Sequence, residues 1–136
     1  VKVFLDSNVV VSGIAFRGKS HAILGSTFSS KHTFVLSEDV HREALQVLRR
    51  KFPRLRREAE EILSLIRAEL VPAKDYQSRL ASFPALRDPK DAHVLAAALA
   101  AGCDLIVTGD RDLLEIGKVE GAAIVSPEDA LRILHE

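Results

Sequence analysis

The chain has no methionine, no tryptophan, a single tyrosine and a single cysteine. Alone, Cys103 has no partner for an internal disulfide, which fits a reducing compartment, and it reads as a small buried hydrophobe. With no methionine, the initiator residue is missing or Val1 stands in its place. No apolar run approaches the roughly 20 residues of a membrane span, and no signal peptide precedes Val1. The expectation is a cytoplasmic protein with no membrane partner. Six phenylalanines and one tyrosine make up the aromatic content, so extensive base stacking is not evident. Neither sign of charge is in excess: 19 basic and 19 acidic residues cancel, and any nucleic-acid binding must come from a local patch. The glycine signatures of a P-loop or a Rossmann fold are absent.

What is present is a core-forming sequence, 47% hydrophobic over 136 residues, which excludes disorder. With no repeat, low-complexity tract or linker, residues 1–136 read as a single domain. Short β-branched runs alternate with longer helical stretches, the pattern of a parallel sheet covered on both faces. Strands are expected near 2–5, 33–36, 69–72, 104–107 and 122–125. Helices are expected at 20–30, 38–51, 54–68, 75–82, 90–101 and 127–135, with 37–68 a helical pair projecting from the sheet. Ser37 is placed to cap the helix at 38, and Ser126-Pro127 puts proline at the first position of the last helix. The stretch Ala92-His93-Val94-Leu95-Ala96-Ala97-Ala98-Leu99 leaves almost no polar face, so this helix is expected to be buried on most sides.

Acidic residues gather at the ends of these elements. Val3-Phe4-Leu5 stops at Asp6-Ser7-Asn8, and Leu105-Ile106-Val107 stops at Thr108-Gly109-Asp110-Arg111-Asp112. Ligands of open α/β sheets bind beyond the carboxyl ends of the strands. Carboxylates gathered there repel one another, so a divalent cation belongs among them. Helix capping is the competing explanation. Asp6 can cap a turn at Ser7, Asp110 can cap a turn before Leu113, and Asp88-Pro89-Lys90-Asp91 is a near-ideal helix start. Capping alone accounts for Asp88. Asp91, one turn in, can face the crevice and is the better ligand candidate. Glu43 lies at the edge of the apolar arc formed by Val40, Ala44, Leu45, Val47 and Leu48, and on its own would read as a solvent-boundary glutamate. No histidine pair has zinc-ligand spacing, and His93 reads as packing or a surface contact.

These motifs, in this order and over nearly the whole chain, resemble the PIN-domain nucleases, most closely the toxins of bacterial and archaeal toxin–antitoxin pairs. The resemblance rests on Val3-Phe4-Leu5-Asp6-Ser7-Asn8, Glu43-Ala44-Leu45, Asp88-Pro89-Lys90-Asp91-Ala92 and Thr108-Gly109-Asp110-Arg111-Asp112-Leu113-Leu114. It implies a three-layer α/β/α sandwich with a five-stranded parallel sheet of order 3-2-1-4-5, which brings Asp6 and Asp110 together. The family's four acidic positions fall on Asp6, Glu43, Asp91 and Asp110. Asp112 matches a frequent fifth carboxylate, Asp88 stays a further ligand candidate, and Asn8 and Thr108 match supporting polar residues. The implied activity is endoribonuclease cleavage of phosphodiester bonds with one or two magnesium or manganese ions. The implied partners are RNA, an antitoxin that inserts a side chain into the acidic cleft, and a second copy in a homodimer.

Substrate contacts are expected from two basic groups. Arg49-Arg50-Lys51 and Arg54-Arg56-Arg57 can meet phosphates, although the first three also complement a helix C-terminus and Arg56–Glu60 and Arg57–Glu61 have i,i+4 spacing. Arg17, Lys19 and His21 form a second candidate rim. Other acidic-site phosphohydrolases fit less well. A haloacid-dehalogenase-like site wants Asp-x-Asp after the first strand, where this chain has Asp6-Ser7-Asn8. A response-regulator receiver wants lysine after its last strand, where Ser126-Pro127 stands. A topoisomerase–primase-type site shares the downstream Asp-x-Asp but has no counterpart to the early glutamate. A non-catalytic scaffold of the same fold is the alternative from another class, but it has no physical reason to hold mutually repelling carboxylates together.

Overall fold

The computed structural model describes residues 1–29, 31–83 and 89–135. Its centre is a six-stranded sheet of order β3-β2-β1-β4-β6-β5. The strands are β1 (Lys2–Leu5), β2 (Thr33–Ser37), β3 (Glu69–Val71), β4 (Leu105–Val107), β5 (Lys118–Val119) and β6 (Ala122–Val125). The first four and β6 run parallel, in registers such as Val3↔Phe34, Phe4↔Ile106 and Ile106↔Ile124. Val3, Phe4 and Leu5 are buried completely, as are Ile106 and Val107, because strands covered on both faces need apolar residues at every position. The chain leaves β1 toward β2 on one side and returns to β4 on the other. The carboxyl ends of β1 and β4 thus flank the point where the strand order reverses.

The five expected strands take their expected places, and one further strand extends the sheet. β5 pairs antiparallel with β6 through Val119↔Ala122. The two-residue turn between them, Glu120-Gly121, has φ of 44° and 94°, the double positive φ of a type I′ hairpin. Glutamate is a rare occupant of that first position, so the sequence carries only half of the usual turn signal.

Seven α-helices flank the sheet among the described residues: α1 (Ser7–Ala15), α2 (Lys19–Ser26), α3 (Glu38–Lys51), α4 (Ala59–Leu65), α5 (Pro89–Ala100), α6 (Arg111–Ile116) and α7 (Pro127–Leu134). None is long and apolar enough to cross a membrane. Ser37 caps α3 by accepting the Val40 amide at 3.0 Å, and Ser126 caps α7 through the Asp129 amide at 3.2 Å. α5 buries Ala92 and Val94 through Ala98, as its apolar sequence requires. Each fully buried Leu or Val contributes on the order of 1.5–3 kcal/mol.

Four expectations differ from the structure. α1 forms directly after Asp6 in spite of Val9, Val10 and Val11, whose stiff side chains lower helix propensity; burial of Val9 and Val10 outweighs it. α6 is a six-residue helix where only a capped turn is expected. The stretch 54–68 is a 3-10 turn over Pro53–Leu55 followed by the short α4. Residues 75–82 contain 3-10 turns, Ala73–Asp75 and Gln77–Ser82.

Candidate metal centre

The acidic residues converge at the carboxyl edge of β1 and β4. Asp6 ends β1: its amide still bonds to Val107 across the sheet at 3.0 Å, while its side chain turns to cap α1. Oδ1 accepts the Ser7 amide at 2.7 Å, and Oδ2 accepts the Thr108 hydroxyl at 2.7 Å and the Asn8 side-chain amide at 3.2 Å. Asp6 is only 6% exposed. Burial pushes its carboxyl above the ordinary range, the Thr108 and Ser7 hydrogen bonds pull it back, and the negative charges of Glu43 and Asp110 push it up again. Asp6 is therefore at once a helix cap and a carboxylate among carboxylates.

Thr108 and Asn8 set the rest of this edge. The Asp110 amide donates to Thr108 Oγ1 at 3.0 Å, and the Gly109 amide donates to Asn8 Oδ1 at 2.9 Å. Asp110 caps α6 by accepting the Asp112 amide at 2.8 Å. From α5, Asp91 enters the same space in the first helical turn, itself only 4% exposed. Asp91, Asp110 and Asp112 each offer a carboxylate oxygen within 4.8 Å of the other two. Three hard anionic oxygens at that separation suit a divalent cation of the magnesium or manganese type, which would relieve their repulsion.

Two of the candidate ligands stand outside this trio. The oxygens of Asp6 are engaged by Ser7, Thr108 and Asn8. Glu43, on α3, meets Lys90 Nζ at 3.3 Å, with its side chain about one-third exposed. Its charge still reaches Asp6. Asp88 lies outside the described residues.

The basic candidates separate in the same way. Lys51 lines a cleft with Asn8 and Glu43. Arg17 and Lys19 line a shallow cleft beyond Phe16, where Lys19 meets Glu128 at 3.1 Å. Arg49 reaches Glu60 at 3.6 Å, and Arg50 is exposed. Arg56 and Arg57 precede the start of α4 at Ala59, so their spacing to Glu60 and Glu61 is not helical throughout. His21 faces the Gly13 carbonyl at 2.9 Å and ties α2 to α1.

One cluster beside the centre has no counterpart among the sequence candidates. Asp39 on α3 accepts the Tyr76 hydroxyl at 2.5 Å, faces His93 Nδ1 of α5 at 3.0 Å and pairs with Arg42. Burial alone would raise its carboxyl, but the hydrogen bond from Tyr76 and the charges of His93 and Arg42 hold it below the ordinary value. Burial and the bond to Asp39 push the Tyr76 phenol up to about 12. Asp39 reads in sequence as one more acid in a helix's first turn; the one signal was that Tyr76 is the only tyrosine in the chain.

No significant match to a curated protein was found. The chain is similar in fold to solved toxin–antitoxin proteins of low sequence identity. One is the toxin–antitoxin complex from Klebsiella pneumoniae, with TM-score 0.68, 18% identity, and 92% of this chain and 97% of that one covered. Another is VapBC2 from Rickettsia felis bound to a DNA fragment from its promoter, with TM-score 0.65, 14% identity and coverage of 93% and 98%. A third is VapC20 from Mycobacterium tuberculosis, a sarcin–ricin loop cleaving toxin, with TM-score 0.63, 20% identity and coverage of 87% and 97%. The sequence profile of the PIN domain matches residues 2–112, a span that runs from β1 through Asp6, Glu43, Asp91 and Asp110 to Asp112. The chain belongs to the PIN domain family.

Proposed function

We propose that this PIN domain is a metal-dependent endoribonuclease, acting as the toxin of a toxin–antitoxin pair in the cytoplasm. The observation that carries the reading is the meeting of Asp91, Asp110 and Asp112 within 4.8 Å, beside the buried Asp6. Bound there, a magnesium or manganese ion (one or two) supplies Lewis acidity toward a phosphate and a nucleophilic water near neutral pH. Asp91, Asp110 and Asp112 hold it, with Asp6 at their back. Thr108 and Asn8 fix the Asp6 carboxylate so that it cannot turn away. Glu43, on the open side, orients the attacking water, and Lys90 holds Glu43 in place. Lys51 and Arg17, on either side of Phe16, and the exposed Arg50 supply positive charge for the flanking phosphates, with Lys19 and Arg49 already committed in part to Glu128 and Glu60.

The structural neighbours support the partner assignment, because proteins of this fold are solved as complexes with antitoxins. An antitoxin side chain entering the acidic cleft would be cationic, to satisfy the same carboxylates as the metal. The active species is a homodimer. The test is cleavage of labelled RNA by the wild type and by Asp110→Asn, with manganese and with EDTA. Wild type should cut only with the metal, and Asp110→Asn should be slower by at least about 100-fold, a barrier higher by roughly 2.7 kcal/mol. RNA left intact by metal-loaded wild type sinks the nuclease reading.

A further inference from the structure

Beside the acidic centre, a cleft of about 340 Å³ lies between α1 and α3. Its inner wall is Ser7, Asn8 and Glu43, which belong to the centre or touch it. Its outer wall is different in kind: Phe16, Phe52 and Lys51. Phe16 ends α1 in extended backbone and stays 60% exposed. Its ring meets Phe52 at 5.8 Å and 77°, an edge-on contact that holds the ring without covering it. Phe28 is exposed to the same degree, but Arg67 lies over its ring at 5.8 Å and it lines a separate groove beside α4. Phe16 is thus the open ring in the cleft that Glu43 lines. On its far side the surface continues into the shallow cleft lined by Arg17 and Lys19.

We propose that this cleft seats one nucleobase next to the scissile phosphate, with Phe16 as its stacking face and Lys51 as the contact for the adjoining phosphate. The proposal rests on the nuclease reading and names its substrate subsite. A single exposed phenylalanine is ordinary on a protein surface. Here the position decides: the ring and the Lys51 cation share one cleft with Glu43 and with Asn8, which donates to Asp6 and also lines the neighbouring cleft of Asp110. Any base offers a π-face, so a subsite of this kind grips single strands with little sequence preference. A folded duplex, whose bases are stacked within, cannot offer one.

The chain has no tryptophan, so Phe16→Trp installs a single indole reporter in the proposed stack. The probes are octauridylate, octaadenylate and an abasic ribose-phosphate chain of the same length and charge. They are titrated with calcium in place of manganese, so that the acidic centre is neutralised. Base-bearing strands should quench the indole and bind about tenfold more tightly than the abasic chain. In manganese, Phe16→Leu should raise KM for a single-stranded RNA about tenfold with kcat within about threefold, and its melting temperature should match wild type. Equal binding of the abasic chain, together with an unchanged KM, overturns the subsite even if RNA is cut. Quenching by base-bearing strands without any cleavage overturns the nuclease reading and leaves the subsite standing. If neither quenching nor cleavage occurs, both fall.

Discussion

Thr108 donates its hydroxyl to Asp6 Oδ2 at 2.7 Å and accepts the amide of Asp110 at 3.0 Å, so one side chain ties the end of β1 to the end of β4. Thr108 is fully buried, and no water can replace its hydroxyl without rearrangement. Thr108→Val keeps the shape and deletes both bonds, together with the weaker one Thr108 accepts from the Asn8 side-chain amide at 3.4 Å. Partners that orient metal ligands are worth 10–100-fold in affinity or activity. Manganese affinity and RNA cleavage by Thr108→Val should fall by about that factor, and unfolding free energy by roughly 1–3 kcal/mol. Thr108→Ser, which restores the hydroxyl, should recover most of the loss. Calorimetric titration with manganese checks the first, and a manganese affinity as high in Thr108→Val as in Thr108→Ser would refute the role of the hydroxyl.

Asp6 carries a charge that its surroundings disfavour when no cation is near. A ligand that binds only the native state at 100 times its dissociation constant stabilises by about 2.7 kcal/mol. For a domain of this size that is a rise of roughly 10 °C in melting temperature. Metal-free wild type should show such a rise on adding manganese. Asp6→Asn should lose most of it, read against the variant's own metal-free melting temperature. Asparagine still caps α1 through the oxygen facing Ser7, but its amide nitrogen replaces the oxygen that accepts from Thr108 and Asn8, so its metal-free form should melt lower than wild type. Differential scanning fluorimetry reads both. An undiminished manganese shift in the variant would remove Asp6 from the site.

The parts of this molecule legible in sequence are those where one residue type has one physical use. Apolar runs such as Val3-Phe4-Leu5 and Leu105-Ile106-Val107 have no place except a sheet covered on both faces, and their terminal aspartates mark the crevice. Asp6 and Asp110 could each be explained as caps or as site residues; both do cap helices, and capping leaves them at the shared edge of β1 and β4. Helix α1 was hidden because Val9, Val10 and Val11 favour strands locally, and only packing against α2 and α3 makes the segment helical. β5 was hidden because its turn lacks the usual asparagine or aspartate. The Asp39–Tyr76–His93 cluster joins three segments that no spacing rule connects, as does the Glu43–Lys90 pair across 47 residues. Such contacts belong to the tertiary fold and leave no periodic trace.

Gly13 marks the closest approach of α1 and α2. A Cβ there would lie 2.5 Å from Leu24 Cδ1 and 2.8 Å from the Ser20 carbonyl oxygen, and the backbone atom cannot step aside as a side chain can. Alanine gains about 1 kcal/mol in helix propensity over glycine. Overpacking of this kind costs typically 1–3 kcal/mol. Gly13→Ala should therefore lower the urea midpoint with an unchanged m-value. Gly25→Ala is the control: it lies in α2 with nothing within 4 Å of the added methyl, so it should be neutral or stabilising by up to about 1 kcal/mol. A Gly13→Ala protein more stable than wild type would mean that the two helices are farther apart than described.

Tyr76 and Asp39 make stability depend on pH in a predictable direction. The Asp39 carboxyl, which burial alone would raise, is held below its ordinary value of 3.8, with the Tyr76 hydroxyl the strongest of the groups that lower it. A carboxyl depressed in the native state contributes stability above its unfolded value and loses it as pH falls through the native one. Tyr76→Phe removes the donor and leaves His93 and Arg42 to hold the charge. At pH 7 the variant should be less stable by roughly 1.5–3 kcal/mol, the range for a hydrogen bond to a charged group. The difference should shrink as pH falls below the ordinary value of 3.8 and through the depressed native one, as Asp39 is protonated in both proteins. On the alkaline side the sign reverses in cause. A phenol raised to about 12 keeps its proton in the native state while the unfolded chain ionises near 10, so wild type loses stability over that interval and Tyr76→Phe does not. Because the chain has one tyrosine and no tryptophan, tyrosinate absorbance reports this ionisation without overlap. A native-state midpoint near 10, with a stability gap constant from pH 7 to 2, would show that the phenol and Asp39 are not bonded.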